Sequence, residues 1–251
     1  LCNNGIDAKP YYSGVSLPGF PESNSCREYL EMLLLNNQVK VLVATIALGM
    51  GYDKPDLSFV VHYQSPASIV GYYQQVGRAG RGIDNAVGVL LRGNEDSEIH
   101  EYFRREAFPE EELVKRLLYQ LSRGDGYSIR DLEGYFNLSY TRLAQLLKFL
   151  SVETPSPIVK RGTKWFRTPV PFELDQERIE FLTHQREDEW KEVCDYVVTD
   201  RCLMTYLRNA LDDQGIADCG KCSNCLGHPV VNVSPDQQAV KDAMLFLQRA
   251  E

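Results

Sequence analysis

The 251-residue chain predicts a multi-domain protein, α/β in its first part and α+β in the rest, and three observations carry that expectation. Over residues 1–108, short β-branched runs alternate with a Gly-rich loop and a helical segment. Residues 109–172 hold three amphipathic stripes followed by two short strands. Residues 173–230 hold a helical hairpin and four cysteines at metal-binding spacing, and residues 231–251 form a tail or the start of a further helix.

In the first part, residues 41–45 (Val-Leu-Val-Ala-Thr) read as a buried strand. The loop at 46–55 comes next, and its glycines let the backbone approach a ligand closely. Residues 57–63, with Phe59, Val60 and Val61, form a second strand. Residues 74–81 then read Gln-Gln-Val-Gly-Arg-Ala-Gly-Arg. Small residues around Arg78 and Arg81 permit a tight turn that projects both guanidinium groups the same way. Arginine suits phosphate clamping because its planar fork stays charged and binds in a bidentate way. The competing reading is a Gly-rich surface turn with two solvated arginines. The order strand, loop, strand, helix and turn favours an α/β domain with its site at the strand ends.

At these residues the chain resembles the second motor domain of superfamily-2 helicases, specifically the RecQ family. Residues 43–51 with Lys54-Pro55 are similar to that family's motif V, and residues 72–81 to its motif VI. Gly5-Ile6-Asp7-Ala8 with Tyr11-Tyr12-Ser13-Gly14 resembles its motif IV. The resemblance implies a partial RecA-like domain in which Arg78 and Arg81 reach the γ-phosphate of ATP held by a partner motor domain, with Arg81 as the arginine finger. It further implies that Gln74 supports that site, that Gly51 and Asp53 lie against the nucleotide with Asp53 near the ribose, and that Thr45 touches the translocating strand. ATP and Mg2+ as cofactors of the full-length protein are implied by it. So are single-stranded and tailed duplex DNA as partners, 3′ to 5′ polarity, and a bacterial cytoplasmic, nucleoid-associated location. The chain contains no Gly-x-x-x-x-Gly-Lys-Ser/Thr phosphate loop and no Asp-Glu-x-His strand. The expectation is therefore a first motor domain outside these residues, and no ATP hydrolysis by this chain alone.

Residues 110–122 place Leu113, Leu117, Leu118 and Leu121 on one helical face. Ile129, Leu132 and Phe136 make a second stripe, and Leu143, Leu146, Leu147 and Leu150 a third, with Ser139 as its N-cap. Residues 157–167 read as two short strands about Gly162. Three helices and a hairpin predict a winged helix. Its wing holds Lys160, Arg161, Lys164 and Arg167 interleaved with Trp165 and Phe166, a mixture suited to phosphates and an exposed base. Arg142 on the third helix is a further candidate DNA contact. The competing reading is a trihelical domain that contacts only protein.

Cys219, Cys222 and Cys225 stand at two-residue intervals, and sixteen residues separate Cys202 from the first of them. Thiols spaced this way converge on one metal while a distant cysteine closes a tetrahedron. A disulfide framework is the alternative, but seven cysteines are an odd number and no signal peptide is evident. The expected ion is structural Zn2+, and the spacing also matches the zinc module of RecQ helicases. Cys202 is preferred as fourth ligand, with Cys194 and His228 as alternatives. Cys2, Cys26 and Cys194 are expected to be ordinary thiols. The zinc module following rather than preceding the winged helix resembles the order in bacterial RecQ-like helicases of the RqlH kind.

The net charge of −8 is local: residues 171–200 hold three basic and ten acidic groups, against seven and eight in residues 1–95. That acidic run reads as a solvated helix, so it does not exclude a DNA partner. No apolar run is long enough to span a membrane. Residues 20–25 are expected to form a mobile loop.

Overall fold

The computed structural model describes residues 1–20, 22–46, 48, 52–213 and 217–248. The chain divides into two compact units, one comprising Leu1–Pro66, Val70–Leu91 and Asp200–Glu251, the other Ala67–Ile69 and Arg92–Thr199.

The first unit opens on a 3-10 turn at Cys2–Asn4, then β1 (Ala8–Tyr11), α1 (Ser23–Leu35) and β2 (Val41–Ala44). β1 and β2 pair in parallel, Ala8 opposite Val41 and Tyr11 opposite Ala44. Helix α1 starts inside the segment expected to be a loop. Its Ser23, Asn24 and Ser25 are turn formers, yet Cys26, Leu30 and Leu34 come next at four-residue steps and all three are buried. Burying that stripe against Tyr11 and Val15 outweighs the weak local propensity. β3 (Phe59–His62) pairs in parallel with β4 (Val87–Leu90), and α2 (Ile69–Val76) runs between them in sequence. A β-carbon on Gly88 would lie 2.3 Å from Val76 Cγ2, so only glycine lets the end of α2 settle on β4.

The second unit contains α3 (Asp96–Arg105), α4 (Glu111–Ser122), α5 (Ile129–Phe136), α6 (Tyr140–Ser151), β5 (Ile158–Arg161), β6 (Lys164–Arg167) and α7 (Gln176–Val198). Every apolar stripe read from the sequence supplies its core: Val114, Leu117, Leu118 and Leu121 meet Leu132, Leu143, Leu146, Leu147 and Leu150, with Ile158 and Trp165 closing it. Ser128 and Asp131 form a reciprocal capping box on α5. Ser139 accepts the Arg142 N–H at 3.3 Å and so caps α6 as expected. β5 and β6 are antiparallel about Gly162, whose φ is +61°. One pairing was not legible: Tyr127, in the loop between α4 and α5, exchanges two backbone hydrogen bonds with Trp165, at 3.0 and 2.8 Å. It adds a third, one-residue strand to the ribbon. Helix α7 is acidic and largely solvated, but Trp190, Val193 and Tyr196 form its buried stripe. Trp190 stacks on His100 of α3 with centroids 4.0 Å apart.

Gly126 fixes the approach to that extra strand. Its φ is +86°, and a β-carbon there would lie 2.4 Å from Phe166 Cε1. Gly126→Ala is expected to cost about 2 kcal/mol or more, combining left-handed strain with overpacking. Urea denaturation of the two proteins checks this, and an unchanged midpoint would show that the loop relaxes freely.

The remaining elements of the first unit are α8 (Leu203–Asn209), α9 (Ser223–Leu226) and α10 (Gln237–Gln248). No helix among the described residues is long and apolar enough to cross a membrane.

Candidate functional site

The Gly/Arg turn continues α2. Gly77, Arg78 and Ala79 donate their N–H groups back to Tyr73, Gln75 and Val76, and Gly80 then takes a φ of +77°. Two backbone bonds pin residues 80–82 to the loop before β3: Gly80 N–H donates to Leu57 O at 3.0 Å, and Gly82 N–H to Pro55 O at 2.8 Å. A β-carbon on Gly82 would lie 2.8 Å from Pro55 Cβ, so the two loops touch with no room for a side chain. The close backbone approach expected at Gly49 and Gly51 of the 46–55 loop falls outside the described residues.

This seam brings the two arginines to one place. Arg78 Nη1 donates to Tyr52 O at 3.3 Å, and Arg81 Nη1 meets Asp53 Oδ1 at 2.9 Å. Arg78 is half-buried, whereas the Arg81 and Asp53 side chains are 45% and 64% exposed. An ion pair that open to water is worth about 0–1 kcal/mol, so Arg81 is easily surrendered to a stronger anion. Thr45 sits just beyond β2, its N–H bonded to Tyr11 O. Gln74 is exposed on α2. Gly51 lies outside the described residues, as do Ala47, Gly49 and Met50 of the same motif.

The supporting roles of two residues escaped the sequence reading. Lys54 is only 4% exposed, and its Nζ donates to Asp56 Oδ1 at 2.6 Å, Asn37 Oδ1 at 2.8 Å and Leu35 O at 3.4 Å. It fastens the loop carrying Tyr52 and Asp53 to the end of α1, and its ammonium holds the Asp56 carboxyl below the usual range. A charged side chain inside a polar loop gives no periodic signal of burial. The second is His62, whose Nε2 lies 2.8 Å from Gln75 Oε1 and whose Nδ1 is buried without a partner.

Burial pushes the His62 pKa down, against the opposing hydrogen bond from Gln75. A lowered histidine binds fewer protons folded than unfolded, so its contribution is present above the unfolded value of about 6.5 and fades as pH falls through that value toward the folded one. Below pH ~6.5 the first unit should lose stability at up to about 1.4 kcal/mol per pH unit. Chemical denaturation at several pH values, compared with His62→Gln, reads that slope; an identical slope in the variant would assign it elsewhere.

The four predicted cysteines converge. The Sγ atoms of Cys202, Cys219, Cys222 and Cys225 all lie within 4.8 Å of one another. Cys222 is 3.9 Å from Cys202 and 3.4 Å from Cys225, and Cys219 is 4.0 Å from Cys225. Four thiolates around a tetrahedral ion with bonds of about 2.3 Å stand about 3.8 Å apart, so the donor set fits such an ion. Backbone N–H groups already point at the sulfurs: Cys219 N–H to Cys202 at 3.2 Å, Cys222 N–H to Cys219 at 3.3 Å, and Leu203 N–H to Cys222 at 3.4 Å. Burial opposes ionisation of Cys202, but the Cys219 N–H and its other donors outweigh it and bring that thiol to about 6. Cys225 is pushed up to about 12, chiefly by its neighbour Cys222. Neither alternative ligand joins this group. Cys194 accepts from Arg92 Nη2 at 3.4 Å, and His228 Nδ1 lies 3.1 Å from Pro229 O. Asn224, between Cys222 and Cys225, donates to Arg201 O at 2.7 Å and ties the cysteine loop to the Cys202 turn.

The basic ribbon is partly as expected. Lys160, Arg161 and Lys164 are exposed, Lys160 lying over the Trp165 ring at 5.6 Å and Arg161 over Phe166 at 5.7 Å. Trp165, expected to stack on a base, is instead a core residue at 8% exposure, because strand alternation turns Lys164 outward and Trp165 toward the helices. Arg167 is also committed internally, its Nη1 donating to Pro157 O at 2.6 Å and Thr168 O at 2.9 Å. Arg142 is accessible but pairs with Glu106 at 3.3 Å and Glu110 at 4.0 Å.

Residues 23–82 match the helicase conserved C-terminal domain. The ATP-dependent DNA helicase RecQ of Synechocystis sp. is 28% identical over 90% of this chain and 45% of its own length. The probable ATP-dependent DNA helicase RecS of Bacillus subtilis is 28% identical over 79% and 38%. The RecQ helicase of Pasteurella multocida is 43% identical over 36% of this chain and 13% of its own length. The chain spans less than half the length of these curated relatives. With the arginine turn, the domain match and a RecQ relative aligned over 90% of the chain, the chain is similar to the C-terminal part of RecQ-family helicases.

Proposed function

We propose that this chain is part of an ATP-dependent 3′ to 5′ DNA helicase, with residues 1–108 as its second motor domain, 109–172 as a winged helix and 173–230 as a helical hairpin with a zinc module. The observation that carries the reading is the seam joining the turn of Arg78 and Arg81 to Tyr52 and Asp53. In it Arg81 is the finger that reaches the γ-phosphate across a lobe interface, Arg78 braces the turn and Asp53 approaches the ribose. Gln74 lines the same site, and Thr45 contacts the tracked strand. Closure of two lobes about ATP and Mg2+ then moves one strand per cycle. Hydrolysis needs a phosphate loop these residues do not contain, so the isolated chain should show no DNA-stimulated ATPase; measurable turnover by it alone would overturn the division of labour.

Support for the winged helix is the order helix α4, Tyr127 strand, α5, α6 and hairpin, with the short strand paired to β6. Zn2+ suits the four-thiolate set and, with no open coordination position, acts as a staple. A second reading has the 109–172 domain dock protein, and the internal commitments of Trp165, Arg167 and Arg142 favour it. Fluorescence anisotropy on 3′-tailed duplex DNA over a salt series separates the two. If the ribbon tracks phosphates, Lys160→Ala/Arg161→Ala/Lys164→Ala weakens binding and flattens the salt slope by roughly 0.9 for each phosphate no longer neutralised. Identical curves would leave protein docking as its role.

A further inference from the structure

A second surface of nucleic-acid chemistry lies on α4, built from residues other than the three exposed basic residues of the ribbon. Arg116, Tyr119, Gln120 and Arg123 succeed one another at helical spacing and share one face. Tyr119 is 64% exposed and Tyr135 on α5 is 57% exposed. The two elements are knitted together beneath them. Gln120 Nε2 donates to Tyr127 OH at 3.2 Å, and Tyr127 meets Tyr135 edge-on with centroids 5.8 Å apart. Arg123 lies over the Tyr119 ring at 5.7 Å, and Arg116 over Phe136 at 5.5 Å. Neither arginine forms an ion pair with a described residue, in contrast to Arg142.

We infer that this α4–α5 face is a binding platform for single-stranded nucleic acid, in which Tyr119 and Tyr135 stack on bases and Arg116 and Arg123 hold phosphates. Charge selects that occupant. Arg116 and Arg123 both stand exposed on this face with no ion pair to a described residue, inside a chain of net charge −8. Stacking selects it too, since an exposed tyrosine offers a flat face to any base without sequence preference. A guanidinium already lying over a ring keeps its edge free to donate to phosphate while its own plane is fixed. Glu112, one turn before Arg116, bounds the platform at the N-terminal end of the helix. The inference does not depend on the helicase reading, because the platform uses neither the arginine turn nor the ribbon.

The test uses the whole chain and a fluorescein-labelled fifteen-nucleotide oligo(dT) monitored by anisotropy, with a blunt hairpin duplex as comparison. Arg116→Gln/Arg123→Gln and Tyr119→Ala/Tyr135→Ala should each weaken oligo(dT) binding about tenfold or more. The arginine pair should also lower the salt slope by roughly 1.4, and the tyrosine pair should leave it unchanged. Tyr119→Phe/Tyr135→Phe keeps the stacking faces and should bind as wild type. All these side chains are at the surface, and unchanged circular dichroism verifies folding. The proposal is overturned if both pairs bind oligo(dT) normally while Lys160→Ala/Arg161→Ala/Lys164→Ala does not. It is equally overturned if wild type ignores oligo(dT) but retains a glutamate–tyrosine copolymer through Arg116 and Arg123, which would make the face a site for acidic peptide.

Discussion

Arg81→Ala in the intact helicase is expected to reduce kcat for DNA-stimulated ATP hydrolysis by roughly 10³-fold or more while leaving the ATP KM within a few-fold. An arginine finger stabilises charge that develops on the transferring phosphoryl group, so its loss is felt in the transition state more than in binding, and the corresponding loss in GTPases is about 10³–10⁵. Three features of the structure make Arg81 the residue to test. It is the more exposed of the two arginines, its one ion pair is the weak contact to Asp53, and its turn is fixed by backbone bonds from Gly80 and Gly82. The turn is therefore held by its backbone, while the exposed guanidinium keeps only the Asp53 ion pair and a 3.4 Å Nε–H bond to Gly77 O. Arg78 is half-buried with Nη1 on the Tyr52 carbonyl, so its removal should also loosen the seam. Arg81→Lys keeps the charge but loses the planar fork and should recover only part of the rate. Stopped-assay ATPase measurements and oligonucleotide affinity for the same variants decide the matter. A loss of less than tenfold in Arg81→Ala, with a larger one in Arg78→Ala, would exchange their roles.

The legibility of each feature depended on how the sequence encodes it. The three leucine stripes of α4 to α6 were readable because a helix that buries one face must repeat at 3.6 residues. The cysteine set was readable because three of its four members sit on one short turn. The burial of Trp165 was not, since the same Lys-Trp-Phe-Arg run describes either an exposed basic ribbon or an alternating strand with its tryptophan turned inward. The short strand at Tyr127 is a single residue and leaves no period at all. Lys54 illustrates a third limit. Its burial depends on partners at Asn37 and Leu35, seventeen and nineteen residues away, which no local pattern announces. Arg167 is similar, because two backbone carbonyls that only the folded hairpin brings together take up its fork. Lys54 and Arg167 are both polar side chains satisfied by neighbours that only the fold brings close.

Removing one thiolate should have the other large effect, and the packing of the cysteine segment says why. Between residues 200 and 230 only Cys202 and Leu207 are buried among the described residues. Burying one leucine contributes about 1.5–3 kcal/mol. Its helices, Leu203–Asn209 and Ser223–Leu226, are far shorter than the ~12–15 residues at which an isolated helix becomes even marginal in water. Structural zinc contributes about 10–16 kcal/mol to such peptides near neutral pH, so here the ion rather than a core would hold the fold. Cys222→Ser should therefore drop bound zinc from one equivalent to none and open this segment to trypsin at Arg208 and Lys221. The helical core built on Leu117, Leu132 and Leu147 lies in the other unit and should retain its cooperative melt. Cys194→Ser and His228→Ala, which alter the rejected ligands, should keep one zinc each. Acid should mimic the cysteine variant, since protons compete with the metal for thiolates and release it as pH falls. Metal analysis with limited proteolysis, before and after chelation, tests all of this together: a zinc-free protein with the wild-type cleavage pattern would show that the Arg201–Asn224 tie and the N–H···S bonds suffice to hold the segment.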